Sequence, residues 1–142
     1  MTTLAIDALH DIHTATHDIL NGYSEMLARA EPEVHGLILR LTEMHEKHAE
    51  EQAAELARLQ ESAEGHKSAM GTVNKWVVIL RDLFTDIDRD VLPAVRDGEN
   101  FLRSQYDDAL SSMHESDRPY IASMMKVQRE QIQAEISRLP QV

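Results

Sequence analysis

Apolar side chains recur every three or four residues along almost the whole chain, the spacing that lines one face of an α-helix. The first stretch, Leu4 to Leu27, carries Ile6, Leu9, Thr16, Leu20, Tyr23 and Leu27 on that face. It predicts a helix that Thr2 or Thr3 caps and that runs to about Ala30. Glu31-Pro32 then opens a second helix, because the N–H that proline lacks has no helical partner in a first turn. The inward face of this helix is Val34, Ile38, Leu41, His45, His48, Gln52, Leu56 and Leu59, with an end predicted near Gly65.

A shorter amphipathic segment follows Gly71, with Val73, Trp76, Val77, Leu80, Phe84 and Ile87 on one side. A helix of about 14 residues spans about 20 Å, so with its flanking linkers the Met70 to Ile87 insertion approaches the length of a bundle. Such a crossover lets the second and third helices run parallel, where a short loop would force them antiparallel. Asp90 and Pro93 open the third helix, whose inward positions are Leu92, Val95, Glu99, Leu102, Tyr106, Ala109 and Met113. A loop at about Glu115 to Ser116 leads to Pro119 and a fourth helix, with Ile121, Met124, Met125, Gln128, Ile132, Ile136 and Leu139 inward and Pro140 as its stop. The expected fold is all-α: one four-helix-bundle domain over residues 1–142, built as two hairpins joined by a long helical crossover between helices two and three.

Composition narrows the function classes. A chain of 142 residues buries roughly 68–70% of its unfolded surface, enough for one core. The net charge of −11, from 25 acidic against 14 basic residues, repels polyanions and argues against nucleic-acid binding. The longest apolar run, Trp76 to Leu80, is far short of the roughly 20 residues a membrane span needs. Asp7, His10 and Asp11 interrupt the N-terminal region before any secretion signal could form, so the expected compartment is the cytoplasm. There are no cysteines, which removes disulfides and thiolate metal sites.

The histidines are what an ordinary bundle lacks. His13 occupies an inward position of the first helix, flanked one turn away on either side by His10 and His17. If the first hairpin turns at Ala30-Glu31, His13 lies level with His48, since antiparallel helices rise equally per residue. His13 and His48, with Glu99 as carboxylate and with His10, His17, His45 or Glu51 in support, form a candidate set for one ion of iron, zinc or copper. The competing reading is a metal-free core in which each histidine hydrogen-bonds Tyr23, Tyr106, Glu51 or Glu99. Glu99 is either buried against a partner or, if the helix kinks at Gly98, only on the rim of the core. His35, His66 and His114 are expected at the surface. The pair His13/His17 lacks the glutamate of a zincin, the glycines form no phosphate loop, and His45-Glu46-Lys47-His48 lacks the glycine of a phosphorelay bundle.

Asp18 with Gly22-Tyr23, the histidine-rich Leu41 to Ala49, Gly71, and Asp97-Gly98-Glu99 with Tyr106 and Ala109-Leu110 together resemble a known family. It is that of the short bacterial ferritin-like four-helix-bundle proteins classed as a domain of unknown function. The resemblance covers nearly the whole chain and implies the ferritin-like architecture. The wider superfamily implies a di-iron site built from two glutamates and two Glu-x-x-His motifs. Here Leu20 and Asn21 stand where the first glutamate is sought, and the fourth helix reads Glu130-Gln131-Ile132-Gln133 without histidine. The functional expectation is therefore a ferritin-like bundle that binds a single transition-metal ion for storage, sensing or slow redox work. Its alternative is a metal-free interaction or stress-related module. The apolar side of Trp76, Val77 and Phe84 makes a homodimer the expected assembly.

Overall fold

The computed structural model describes residues 4–59, 87–113 and 119–140. Among them are four α-helices: α1 Leu4–Leu27, α2 Pro32–Arg58, α3 Leu92–Ser112 and α4 Pro119–Arg138. A 3₁₀ turn, Arg89–Val91, leads into α3. No strand occurs among the described residues, and the one extended pairing there is an isolated parallel bridge between Ala30 and Ile87. The chain is an all-α four-helix bundle. None of the described helices is long and apolar enough to cross a membrane.

Local chemistry accounts for the helix ends. Pro32 occupies the first turn of α2 after an extended Glu31, where a missing donor costs nothing. The Asp88 carboxylate accepts a hydrogen bond from the Asp90 amide at 2.9 Å and closes the 3₁₀ turn. Pro140 follows the last turn of α4, which ends with a Leu139 amide to Ile136 carbonyl bond of 3.2 Å. Two expected boundaries move: α1 ends at Leu27 rather than near Ala30, and Ile87 is extended rather than helical. Both shifts have one cause. The Glu31 amide donates to the Ile87 carbonyl at 2.7 Å and the Ile87 amide to the Arg29 carbonyl at 3.0 Å. Extended backbone is needed on both segments to make those bonds.

This bridge places the start of α3 beside the α1–α2 turn. Side-chain pairs then fix the helix directions. His45 meets Glu99 and Gln52 meets Tyr106, each pair 54 residues apart, so α2 and α3 run parallel. Arg103 reaches Gln133 and Arg129 reaches Asp107, which makes α3 and α4 antiparallel. The end of α2 and the start of α3 therefore lie at opposite ends of the bundle. The helix expected between them, with Trp76, Val77, Leu80 and Phe84, lies outside the described residues, as do Gly65, Gly71, the Glu115 to Ser116 loop, His66 and His114.

The core follows the expected stripes closely in α3, where Leu92, Val95, Glu99, Leu102, Tyr106, Ala109 and Met113 are all buried. In α1 the buried face is wider than the stripe: Ala5, Ala8, Ile12, Ile19 and Met26 are buried as well, whereas Leu20 and Leu27 are only partly covered. The width reflects two neighbours, since α1 packs against α2 on one side and α3 on the other. α3 continues through Gly98 without a break, and Glu99 is completely buried; the rim position expected from a kink does not occur.

Core truncation should separate cleanly from surface truncation in denaturant titrations. Leu102→Ala, at a position 2% exposed, is expected to cost roughly 2–5 kcal/mol. Val127→Ala, at a position 58% exposed, should stay within about 0.5 kcal/mol. Equal midpoints for the two variants would contradict the assigned core.

Candidate functional site

Eleven polar or charged residues among those described are buried, and most of them form two layers across the bundle. The layer nearer the α1–α2 turn centres on Glu99. The Tyr23 hydroxyl donates to Glu99 Oε2 in a short hydrogen bond, and His45 Nε2 lies 2.8 Å from the same oxygen. Burial, and then the neighbouring Glu99 charge, raise the Tyr23 phenol well above its ordinary pKa, so Tyr23 serves as a donor here. One turn along α2, His48 Nε2 lies 2.6 Å from Gln131 Oε1 on α4. The His45 and His48 rings are 5.9 Å apart, centroid to centroid, in an edge-to-face contact with their planes at 76°.

The second layer centres on Gln52. Its amide nitrogen is 2.9 Å from the Tyr106 hydroxyl, 3.1 Å from Gln128 Oε1 and 3.2 Å from Thr16 Oγ1, and its amide oxygen is 3.0 Å from His13 Nδ1. The Tyr106 hydroxyl donates on to Gln128 Oε1 at 2.7 Å, Gln128 donates to Glu51 Oε1 at 3.1 Å, and Thr16 donates to the Ile12 carbonyl at 2.8 Å. Glutamines on an inward stripe were the signal in the sequence for this layer. Their role as the hub that joins four helices depends on which residues meet them, and the sequence does not display that.

The expected constellation is thus divided. His45 and Glu99 come together, and His48 stands beside His45. His13 pairs with Gln52 instead of facing His48, one helical turn further along α2 than equal-rise counting predicts. The reason is side-chain direction. Every Cα–Cβ bond tilts toward the N-terminus of its helix, so α1 side chains lean away from the turn and α2 side chains toward it. Residues that touch therefore have higher numbers on α2 than residues at the same level. His10 is buried on α1, His17 is exposed with its ring edge-on to His13 at 4.5 Å, and Glu51 is exposed on α2 and accepts from Gln128. His35 is exposed, as expected.

Three buried side-chain atoms of the first layer have no hydrogen-bond partner among the described residues: Glu99 Oε1, His45 Nδ1 and His48 Nδ1. With Nε2 of each histidine facing an acceptor oxygen, the neutral imidazole carries its hydrogen on Nε2 and keeps a lone pair on Nδ1. All three unused atoms are therefore electron-pair donors. Among the described residues, the group of three ligand atoms mutually within 4.8 Å is a different one, Glu31, Glu33 and Asp88 at the α1–α2 turn. The first layer supplies donors of the right chemistry that do not yet converge on one point.

A family model described as a domain of unknown function (DUF2383) matches residues 4–112. The chain belongs to that family, and the match takes in α1, α2 and α3 and stops before α4. None of the curated proteins and none of the solved structures matches this chain.

Burial lowers the pKa of both His13 and His48 below the ordinary histidine value, with the hydrogen bonds to Gln52 and Gln131 opposing the shift in part. The fold therefore favours their neutral forms. Above about pH 6.5 the histidines are neutral folded and unfolded alike, and this contribution is complete. As pH falls below that value the unfolded chain takes up protons first, and stability declines until the folded histidines also protonate. Urea midpoints should accordingly drop between about pH 7 and pH 5, and a constant midpoint would contradict the assignment.

Removing the hub has a separate consequence. Gln52→Ala leaves His13 Nδ1 without its acceptor and takes one bond each from Tyr106, Gln128 and Thr16, and should cost roughly 2–4 kcal/mol. Arg40→Ala, which breaks a surface pair with Glu135, should cost about 1 kcal/mol or less.

Proposed function

We propose that the protein binds one transition-metal ion in its core, beside Glu99, His45 and His48. The observation that supports this reading is the set of unused atoms in the first layer. An enclosed carboxylate oxygen and two enclosed imidazole nitrogens each offer a lone pair that nothing among the described residues occupies. Leaving such groups buried and unpaired costs stability, and a cation is the ligand that would recover it. Imidazole with carboxylate suits borderline ions such as iron(II), zinc or copper(II). Binding would draw the three side chains together from their present positions, with Tyr23 holding the second oxygen of Glu99.

The parallel courses of α1 with α4 and of α2 with α3 match those of ferritin-like bundles with one long connection, which supports a ferritin-like reading of the chain. A two-iron centre is not part of this reading. Glu99 is the buried glutamate of the first layer, Glu55 being engaged by Arg58 at the other end of α2. Among the described residues no buried Glu-x-x-His pair repeats on two helices. One ion held by enclosed histidine and carboxylate ligands fits storage, sensing or slow electron transfer better than turnover of a substrate.

The competing function is a metal-free interaction module, favoured by the Gln52 layer, in which an extended set of polar groups is satisfied without any ion. Elemental analysis separates the two. Protein purified without an affinity tag and exposed to iron(II) should retain about one iron per chain through desalting. Glu99→Gln and His45→Ala should reduce that content to background, while His35→Ala should keep it. An ion-free parent protein, or full metal content in Glu99→Gln, would overturn the metal-binding function in favour of the interaction module.

A further inference from the structure

We infer that His13 and His17 form a second metal site, at the border between the buried and the exposed face of α1, that takes a late divalent ion of the zinc or copper class. The two residues are one helical turn apart, so their side chains share an edge of the helix. Their ring centroids are 4.5 Å apart with the planes at 88°.

The geometry of His13 is what makes the pair more than two neighbouring imidazoles. His13 Nδ1 is 3.0 Å from Gln52 Oε1, and the Gln52 amide is oriented by the groups its nitrogen faces, of which Gln128 Oε1 can only accept. The Gln52 oxygen therefore accepts, His13 Nδ1 carries the hydrogen, and the lone pair is on Nε2. Metal-ligating histidines recur in this arrangement: one nitrogen donates to a fixed oxygen, and the other is left as the ligand with its ring orientation set. Burial adds to this by keeping His13 neutral below the ordinary histidine range.

His17 supplies the adaptable half of the site. It is exposed, so its ring can turn from the edge-on contact to direct a nitrogen toward the same ion. Two imidazoles from adjacent turns leave the remaining coordination positions to water, which zinc accepts readily. The site is separate from the Glu99 layer, since His13 is anchored by Gln52 and has no bond to Glu99, His45 or His48. An ion there would brace the Gln52 layer and with it contacts to all four helices.

Zinc titration of the full-length protein, followed by calorimetry and by the imidazole NMR signals, tests the site. Zinc should shift the His13 and His17 resonances, and the thermal midpoint should rise with zinc concentration. At a hundredfold excess over the dissociation constant, the ratio of folded to unfolded protein should increase about a hundredfold for this site. His17→Ala, a change at an exposed position, should weaken this binding at least about tenfold and leave the ion of the Glu99 layer in place. Glu99→Gln should do the opposite. Zinc that leaves the His13 and His17 signals unmoved, or binding unchanged in His17→Ala, would overturn this site whatever the outcome at Glu99. Loss of zinc in His17→Ala alone, with Glu99→Gln unaffected, would support it while removing the core site.

Discussion

One buried amide holds the register of the bundle. Gln52, on α2, reaches His13 and Thr16 on α1, Tyr106 on α3 and Gln128 on α4. Apolar faces tolerate small rotations and slides of one helix on another, because dispersion and burial are nearly indifferent to direction. Hydrogen bonds are not indifferent. A slide of one residue in any of the four helices would strand several of these groups away from water, each at roughly 1–3 kcal/mol. The polar layer thus selects one packing among several that would bury similar apolar area, the role in which buried polar groups are best attested.

The Glu99 layer obeys a different logic. Its donors are concentrated on one carboxylate oxygen, while the other oxygen and two imidazole nitrogens are left with unused lone pairs. A core selected only for stability would fill this space with leucine, as the rest of α3 does with Leu92, Val95 and Leu102. Two layers of the same core thus differ: the Gln52 layer is saturated and specifies the packing, and the Glu99 layer leaves lone pairs unused among the described residues.

Between these layers and the turn, the Ala30–Ile87 bridge does the topological work. Two backbone hydrogen bonds tie the segment before α3 to the segment between α1 and α2. They put the start of α3 at the same end of the bundle as the start of α2. Parallel α2 and α3 follow, and with them the meeting of Glu99 with His45 and of Tyr106 with Gln52. With α2 and α3 antiparallel, the same sequence stripes would bury equally well but would bring different polar residues face to face.

The sequence by itself determined the helices and their inward faces, because a period of 3.6 residues is a property of local spacing and needs no partner. Val95, Glu99, Leu102 and Tyr106 could be assigned to the core from spacing alone, and so could His13, His45, His48, Gln52 and Gln128. The parallel course of α2 and α3 was also legible, from the length of chain between them. What only the tertiary structure decided is which of these inward polar residues touch. Counting equal rise from the turn set His13 opposite His48, whereas the tilt of the Cα–Cβ bonds moved the contact to Gln52, one turn away. That displacement is small beside the length of a helix, yet it is as large as the spacing between neighbouring side chains on one face. Periodicity therefore places a residue on the inward face, and the docking of the helices determines the level at which it meets a partner.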